Sequence, residues 1–232
     1  DVYKRQGMSY HSIIGNFMIS LLRMTSFCCL VVGGLVSLLS GGASLAGNVS
    51  SMADLQKHVH EVASRVTAAT VALVSDGGET GSGVIVSPQG LILTAAHVVG
   101  GDEIMRVVFA DGRVVKGRVL GANFTRDAAM VQIMDGGNYP HVELGESDGL
   151  HVGDFVVALG HSKGFDPERR APIRMGRLCT DGKQRFLISE CTLIGGDSGG
   201  PLFDLSGKLV GIHSSIGPML KINNHVPVSV FR

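Results

Sequence analysis

The sequence predicts an all-β fold, a sandwich or a barrel, because it consists largely of short apolar runs separated by turn signals. Glycine is abundant, at 33 of 232 residues, and recurs between runs of valine, isoleucine and leucine. From residue 70 onward these runs have the length of strands and are divided by turns such as SPQG, DG and DGKQ. No internal repeat of fixed period is present, so repeat architectures are not expected.

The composition suits a chain that buries a core and does not bind nucleic acid. Hydrophobic residues make up 44% of the chain and charged residues 17%. The 20 basic and 20 acidic residues give a formal net charge of zero, which argues against nucleic acid as a partner. Tryptophan is absent, and the low aromatic content argues against a surface that stacks sugars or single-stranded DNA.

Residues 1–46 are expected to be extra N-terminal residues followed by a secretory signal peptide. Arg23 supplies a positive charge, an apolar run fills residues 27–39, and small residues flank a cleavage site after Ala46. Cleavage there would give a periplasmic or secreted protein. The alternative is an uncleaved segment that anchors the protein in a membrane, because the apolar run approaches the length needed to span one.

A helical segment is predicted for residues 47–70, ahead of the strands. Its apolar side chains recur at helical spacing, at Leu55, Val59, Val62 and Val66. His58 and His60 cannot share a helix face, so they are not expected to bind a metal. The chain has no HExxH or CxxC motif, and no metal or other cofactor is expected.

The strands that follow are predicted to form several hairpins. A first strand, ATVALVS, ends at the turn DGGETG. Hairpins are predicted for GVIVS with LILTAAHVV, MRVVFA with RVVKGRVLGA, IRMGRLCT with RFLISECT, and PLFD with KLVGIHSS. The single strands DAAMVQIM and GDFVVALGH lie between the second hairpin and the third.

Three side chains are candidates for a catalytic site: His97 in TAAH, Asp127 in DAAMVQI and Ser198 in GGDSGGPL. Each alone would be an ordinary surface or turn residue, but the order His, Asp, Ser is one of the known orders of the triad. A serine hydroxyl is a weak nucleophile, so a histidine must accept its proton and a carboxylate must orient the imidazole. The glycines around the serine predict an oxyanion hole formed by the N–H groups of Gly196 and Ser198.

TAAH, DAAMVQI and GDSGGPL together resemble the three signatures of the chymotrypsin-like serine proteases. The resemblance implies two six-stranded antiparallel β-barrels with the active site in the cleft between them. His97 and Asp127 would belong to a first barrel, residues 71–145. Ser198 would belong to a second barrel, residues 146–232.

Within this family, which the chain resembles over roughly residues 70–230, the stretches GSGVIVSPQGLILTAAHVV and GESDGLHVGDFVVALGH are similar to the bacterial HtrA/Deg group. That group implies polypeptide substrates, no zymogen cleavage and a role in degrading damaged exported proteins. The chain departs from the group at Asp197, where asparagine is usual. Trypsin-type enzymes pair this aspartate with a newly formed amino terminus, so here it needs another partner or solvent.

The resemblance puts the specificity pocket near Thr192, His213 and Ser214. A trypsin-like pocket would have an aspartate where Thr192 stands, so cleavage after lysine or arginine is not expected. The strand GIHSS is similar to that of glutamyl endopeptidases and exfoliative toxins, which implies a preference for glutamate, or else for a small apolar side chain. His213 could instead be a core histidine, and His225 could support the pocket. The backbone of Ser214 would pair with the substrate as an added strand.

Several alternatives stay open. A latent or inactive protease fold would bind unfolded peptides and rarely cut them, and an esterase would use the same acyl-transfer chemistry. Cys179 and Cys191 either form a disulfide or are two thiols. The oligomeric state is likewise open. The surface is expected for His141, His151 and His161, although His161 could instead lie near the domain interface.

Overall fold

A computed structural model of the protein describes residues 45–219 and 221–232, and the predicted all-β fold class is confirmed. The predicted signal peptide, residues 1–46, lies almost wholly outside this part of the chain. Helix α1, Leu45–Val66, begins before the predicted helical segment, and a 3₁₀ turn, Thr67–Ala69, leads from it into the first strand.

The C-terminal half of α1 packs against the β-structure. Its buried side chains are Val59, Val62 and Val66, as helical spacing predicts, together with Ala63, whereas Leu55, the first residue of that pattern, is only partly buried. The guanidinium of Arg65 donates a hydrogen bond of 3.1 Å to the carbonyl of Ser206. Among the helices that the structure describes, none is long and apolar enough to cross a membrane.

The first six strands form a closed antiparallel barrel in the order β1-β2-β3-β6-β5-β4. Their bounds are β1 Thr70–Val74, β2 Thr80–Ile85, β3 Leu91–Thr94, β4 Ile104–Val108, β5 Val114–Asn123 and β6 Ala128–Ile133. A single-turn helix, α2, covers Ala96–Val99 directly after β3. Inward-facing aliphatic side chains fill the barrel, among them Val71, Val84, Ile92, Val107 and Val131.

The last six strands form a second, curled sheet in the order β8-β7-β10-β11-β12-β9. Their bounds are β7 Phe155–Leu159, β8 Ile173–Arg177, β9 Leu187–Ser189, β10 Pro201–Asp204, β11 Leu209–Ile216 and β12 Asn223–Pro227. A bridge between Leu178 and Ser189 joins the two outer strands at one end. The division of the chain near residue 145 stays a prediction.

Three of the predicted hairpins form along their strands, and the fourth forms in part. Strands β2–β3, β4–β5 and β10–β11 pair as the sequence predicts. The hairpin predicted across the turn DGKQ forms in part: the Cys179 N–H donates to the Ile188 carbonyl at 2.7 Å and the Glu190 N–H to the Arg177 carbonyl at 2.9 Å, around the Leu178–Ser189 bridge. Along most of their lengths, however, β8 pairs with β7 and β9 with β12. β8 and β9 are the two ends of the strand order, and the curl of the sheet brings their turn-proximal ends together.

Candidate active site

His97 lies in the helix α2 after β3, in a turn that is anchored by small buried side chains. Ala95 and Ala96 are fully buried, whereas the His97 side chain is 48% exposed. An added Cβ at Gly81 would lie 2.5 Å from the Val98 side chain and 3.2 Å from the carbonyl oxygen of Ser198. The residue after His97 and the predicted nucleophile therefore flank the same glycine.

Asp127 lies between β5 and β6 and holds the imidazole of His97. Its φ of 53° is in the left-handed region, which is uncommon for a residue with a side chain and is often found at functional sites. His97 Nδ1 lies 2.9 Å from Oδ1 and 3.0 Å from Oδ2. The His97 backbone N–H and the Ser214 hydroxyl donate to the same carboxylate, at 3.1 Å and 2.6 Å. Since a carboxylate only accepts, Nδ1 carries the proton and Nε2 of the neutral ring is free to accept one.

The same contacts shift both pKa values. The hydrogen bond with Asp127 raises the pKa of His97, against the lowering effect of partial burial. Burial acts to raise the pKa of Asp127, but hydrogen bonds from the His97 ring, the Ser214 hydroxyl and the His97 N–H outweigh it and lower that pKa. The carboxylate is thus ionised wherever the imidazole can act as a base.

Ser198 is held in the loop between β9 and β10 by backbone contacts on both sides. Its carbonyl accepts a 2.7 Å hydrogen bond from the Ser82 N–H, and the Gly199 N–H donates to the His213 carbonyl at 2.8 Å. Gly199 has a φ of 81°, and a Cβ there would lie 2.2 Å from the Ser82 carbonyl oxygen, so only glycine fits. In the described part of the chain, no hydrogen bond joins the Ser198 hydroxyl to His97. Such bonds often form only when substrate is bound.

The loop before Ser198 leaves two backbone donors unused. The Gly195 carbonyl accepts from the Lys163 N–H at 2.6 Å, and the Gly196 carbonyl accepts from the Ser82 hydroxyl at 2.7 Å. The N–H of a trans peptide points away from its C=O, so the first contact turns the Gly196 N–H to the opposite side of the loop. Within residues 45–219 and 221–232, neither the Gly196 N–H nor the Ser198 N–H donates to a protein acceptor.

Ser82 is a site residue that the sequence analysis missed. Besides its contacts with Gly196 and Ser198, its hydroxyl accepts a 2.8 Å hydrogen bond from the His161 N–H. One serine of the first barrel thereby fixes two carbonyls of the nucleophile loop. Its only sequence signal is its position between two glycines at the start of GSGVI.

Of the histidines predicted at the surface, one is buried. His141 and His151 are exposed, but His161 is only 5% exposed, and its Nε2 lies 3.3 Å from the Thr70 carbonyl. Burial lowers the pKa of His161. The surface prediction failed because His161 follows β7 directly into the contact between the two sheets.

His213 and His225 form a buried chain of hydrogen bonds under the predicted specificity pocket. His213 Nε2 lies 3.0 Å from the Leu159 carbonyl, the two Nδ1 atoms are 2.9 Å apart, and His225 Nε2 lies 2.7 Å from the Ser189 hydroxyl. Because a carbonyl only accepts, His213 must donate from Nε2, and its Nδ1 then accepts from His225 Nδ1–H. Ser189 donates to the last nitrogen. Every ring nitrogen is therefore used within the protein.

Both histidines are neutral. Burial lowers the pKa of His225 to about 3. Burial, together with the neighbouring His225, lowers the pKa of His213 well below its ordinary value. Thr192 is exposed nearby and Ser214 is buried. The predicted pocket residues thus include neither a charged imidazole nor a free ring N–H.

The two cysteines of the second sheet are free thiols. Cys179 is exposed and Cys191 is buried, and burial raises the pKa of the Cys191 thiol to about 11. We expect iodoacetamide at pH 8 to modify Cys179 in the native protein and to modify Cys191 only after unfolding, because the thiolate is the reactive form. Peptide mapping by mass spectrometry checks this. A 179–191 disulfide in the unreduced protein would contradict it.

No cluster of three or more side chains suitable for holding a metal ion occurs among the residues that the structure describes.

Comparison with known proteins identifies what this arrangement is similar to. A family model described as a trypsin-like peptidase domain matches residues 81–212, which include His97, Asp127 and Ser198. A protein from Pseudomonas savastanoi pv. phaseolicola, named "Probable periplasmic serine endoprotease DegP-like", is 36% identical over 157 residues, which are 65% of this chain and 33% of that protein. The chain thus spans about a third of the length of such curated relatives.

Solved structures of serine proteases have a similar fold. A serine endoprotease from Yersinia pestis matches with a TM-score of 0.66 and 28% identity, covering 75% of this chain and 63% of that one. The HtrA-type protease AlgW, solved with a tripeptide, matches with a TM-score of 0.65 and 27% identity, covering 74% of this chain and 60% of the other.

Proposed function

The chain belongs to the trypsin-like peptidase domain family, and on this basis we propose that it is a serine endopeptidase of the HtrA type. The observation that carries the proposal is the His97–Asp127 pair together with Ser198, whose carbonyl flanks the same glycine as the residue after His97 and whose loop has two unused backbone N–H groups. A neutral imidazole with a free Nε2 and two convergent donors are what acyl transfer requires.

In the proposed reaction, Ser198 Oγ attacks the carbonyl carbon of the scissile peptide while His97 Nε2 accepts its proton. Asp127 stabilises the imidazolium that forms, and the N–H groups of Gly196 and Ser198 bind the oxyanion. The imidazolium then protonates the leaving amine as the C–N bond breaks. Water repeats the same steps on the acyl-enzyme, which releases the acid and regenerates the serine.

The geometry of the nucleophile loop favours an active protease over the latent fold that was the alternative. A malformed oxyanion hole would need the Gly196 N–H to be turned inward or bonded within the protein. Instead the preceding carbonyl is engaged by the Lys163 N–H, and Ser82 supports the Gly196 carbonyl. These contacts favour donors that are directed into the cleft before substrate binds.

We propose that the substrates are polypeptides and that their backbone adds to β11. The pairing of β11 with β12 shifts register between His213 and Ser215, so that Ser214 has no Cα partner in β12. A substrate strand could therefore pair at this point. The Ser214 hydroxyl, bonded to Asp127, would join substrate binding to the catalytic pair.

For the side chain before the scissile bond, the contacts of His213 favour a small apolar group over the acidic one. Contact with a glutamate would require a ring N–H, and the only one that His213 has is donated to the Leu159 carbonyl. Its charged form is strongly disfavoured by burial. A buried carboxylate without a donor or cation is costly, so glutamate is expected to be a poor substrate residue.

Matched peptides that differ only at this position test the preference. We expect kcat/KM to be greatest for the alanine peptide, and the glutamine peptide to be cleaved at least as fast as the glutamate peptide. The lysine peptide should have a kcat/KM at least about tenfold below that of the alanine peptide, because an unpaired charge would have to be desolvated. A glutamate peptide cleaved about tenfold faster than its glutamine counterpart would restore the acidic preference.

We further propose that the protein is exported and degrades damaged proteins outside the cytoplasm. Support comes from the relatives, several of which are named periplasmic serine endoproteases. The test is to incubate the full chain with reduced, alkylated α-lactalbumin and with the native protein. Rapid cleavage of the unfolded form alone is expected. Cleavage of neither form by a folded, pure protein would contradict the proposed function.

A further inference from the structure

We propose that Arg174 is a positioning residue for the oxyanion loop. Its guanidinium, which extends from β8 of the second sheet, neutralises the buried carboxylate of Asp197 and so holds in place the residue that joins Gly196 to Ser198, whose N–H groups are the proposed oxyanion donors. The proposal deepens the proposed function, since it names a residue on which the same site depends.

The carboxylate of Asp197 is fully buried and fully bonded. Arg174 Nη2 lies 3.1 Å from Oδ2, and the Ile194 N–H donates to the same oxygen at 2.8 Å. The Ser162 hydroxyl donates to Oδ1 at 2.6 Å. Arg174 Nη2 also contacts the Ser162 hydroxyl at 2.5 Å, so the three side chains form one closed network.

The charge of Arg174 is what the aspartate needs. Burying an ionised carboxylate costs free energy unless a cation lies close to it. Removing one partner of a buried ion pair strongly destabilises the fold, because the other charge is left buried and uncompensated. Within the described part of the chain, Arg174 is the one cation at ion-pair distance from Asp197. Nη1 of Arg174 is buried without a hydrogen-bond partner, so the polar contacts of the two terminal nitrogens are those of Nη2 with Asp197 and Ser162.

The position of Asp197 in the chain connects this pair to catalysis. Asp197 lies between Gly196 and Ser198, whose N–H groups are the two proposed oxyanion donors. Its N–H donates to the Ile194 carbonyl at 3.1 Å, and its carbonyl accepts from the Gly200 N–H at 2.8 Å. A side chain held at three points therefore fixes the Asp197–Ser198 peptide, which carries the Ser198 N–H, and limits the movement of Gly196, whose own N–H belongs to the preceding peptide.

The Arg174–Asp197 pair explains how this chain can have an aspartate before Ser198 although it resembles the HtrA/Deg group, which needs no zymogen cleavage. Trypsin-type enzymes must create an amino terminus to pair with the aspartate. Here the cation is a side chain of β8, which pairs along its whole length with β7, so it is in place as soon as the sheet forms.

The test compares Arg174→Gln with Arg177→Gln, a control that makes the same change on an exposed residue of the same strand. Arg174→Gln is expected to lower kcat by about 10²-fold, the loss typical of one oxyanion donor, with KM changed less than about threefold. The affinity for a peptide boronic acid, whose tetrahedral adduct occupies the oxyanion hole, should fall in parallel. Arg174→Lys should retain most of the activity, and Arg177→Gln all of it.

Introducing Arg174→Gln into an Asp197→Asn variant distinguishes a positioning role of Arg174 from a general contribution to folding. Without a buried carboxylate, Arg174→Gln is expected to change kcat by less than about threefold. This comparison also carries the test if Arg174→Gln alone does not fold. An equal loss of kcat in both backgrounds, or a loss that only follows the folded fraction measured by circular dichroism, would overturn the proposal.

Failure of this inference is distinguishable from failure of the proposed function. If the wild-type chain neither cleaves peptides nor reacts with a fluorophosphonate, the proposed function itself is wrong. If the wild type is active and Arg174→Gln has the same kcat and boronate affinity as Arg177→Gln, only the role of Arg174 is wrong.

Discussion

Ser198→Ala is expected to lower kcat/KM for peptide hydrolysis by about 10⁶-fold, the loss measured when a protease of this chemistry is deprived of its nucleophile. The reason is that no acyl-enzyme can form, so only water that reacts directly in the oxyanion hole remains. The measurement is a long progress curve with a fluorogenic peptide at high enzyme concentration.

The matched control is Ser229→Ala, which removes an exposed serine far along the chain in the 3₁₀ turn Val228–Phe231. This variant should cleave the peptide at the wild-type rate. If Ser198→Ala retained more than about one hundredth of the wild-type activity, the role assigned to Ser198 would be wrong and another nucleophile would have to be sought.

Asp127→Asn is expected to lower kcat/KM by about 10⁴-fold and to change its pH dependence. In the wild type the hydrogen bond to Asp127 raises the pKa of His97, so activity rises with pH through a value above that of an ordinary histidine. The asparagine removes the negative charge and no longer selects the tautomer with a proton on Nδ1. The acid limb of the profile should therefore move to lower pH as the activity falls.

Profiles of kcat/KM from pH 5 to 9 for both proteins give the measurement. Ser214→Ala is the graded control, because it removes one of the donors to Asp127 and leaves the pair with His97 intact. Its expected loss is about tenfold, that of one hydrogen bond to a charged group. An acid limb that stays in place in Asp127→Asn would mean that it reports a group other than His97.

The parts of the fold that depend on local sequence were predictable. The hairpins β2–β3, β4–β5 and β10–β11 are joined by short turns, and their register follows from the residues on each side. The fourth hairpin forms in part, at the Leu178–Ser189 bridge, and the main partners of its two strands are β7 and β12. A turn signal such as DGKQ does not tell which neighbour a strand will find.

The same distinction holds for the candidate site. His97, Asp127 and Ser198 stand in short motifs with characteristic spacing, so their types and order were visible in the sequence. Ser82 and Gly196, which are in contact, are 114 positions apart in the chain, and no local sequence pattern predicts that contact.

Long-range contacts also decided the roles of charged and titratable side chains. The sequence around Arg174 predicts only a cationic side chain on an exposed strand, yet this side chain pairs with a fully buried aspartate. The ring of His213 is bonded to the Leu159 carbonyl, 54 positions away, and this contact disfavours the role that the resemblance implied. The sequence analysis could name the aspartate's need for a partner but not the residue that meets it.

Covalent labelling of the full chain with a fluorophosphonate tests the central claim most directly, because the reaction needs an activated serine beside a formed oxyanion hole and needs no knowledge of the substrate. The account predicts a single adduct in the intact mass, mapped to Ser198, absent in Ser198→Ala and formed far more slowly in Asp127→Asn. A folded wild-type chain that takes up no adduct, or takes it up at another residue, would contradict the account.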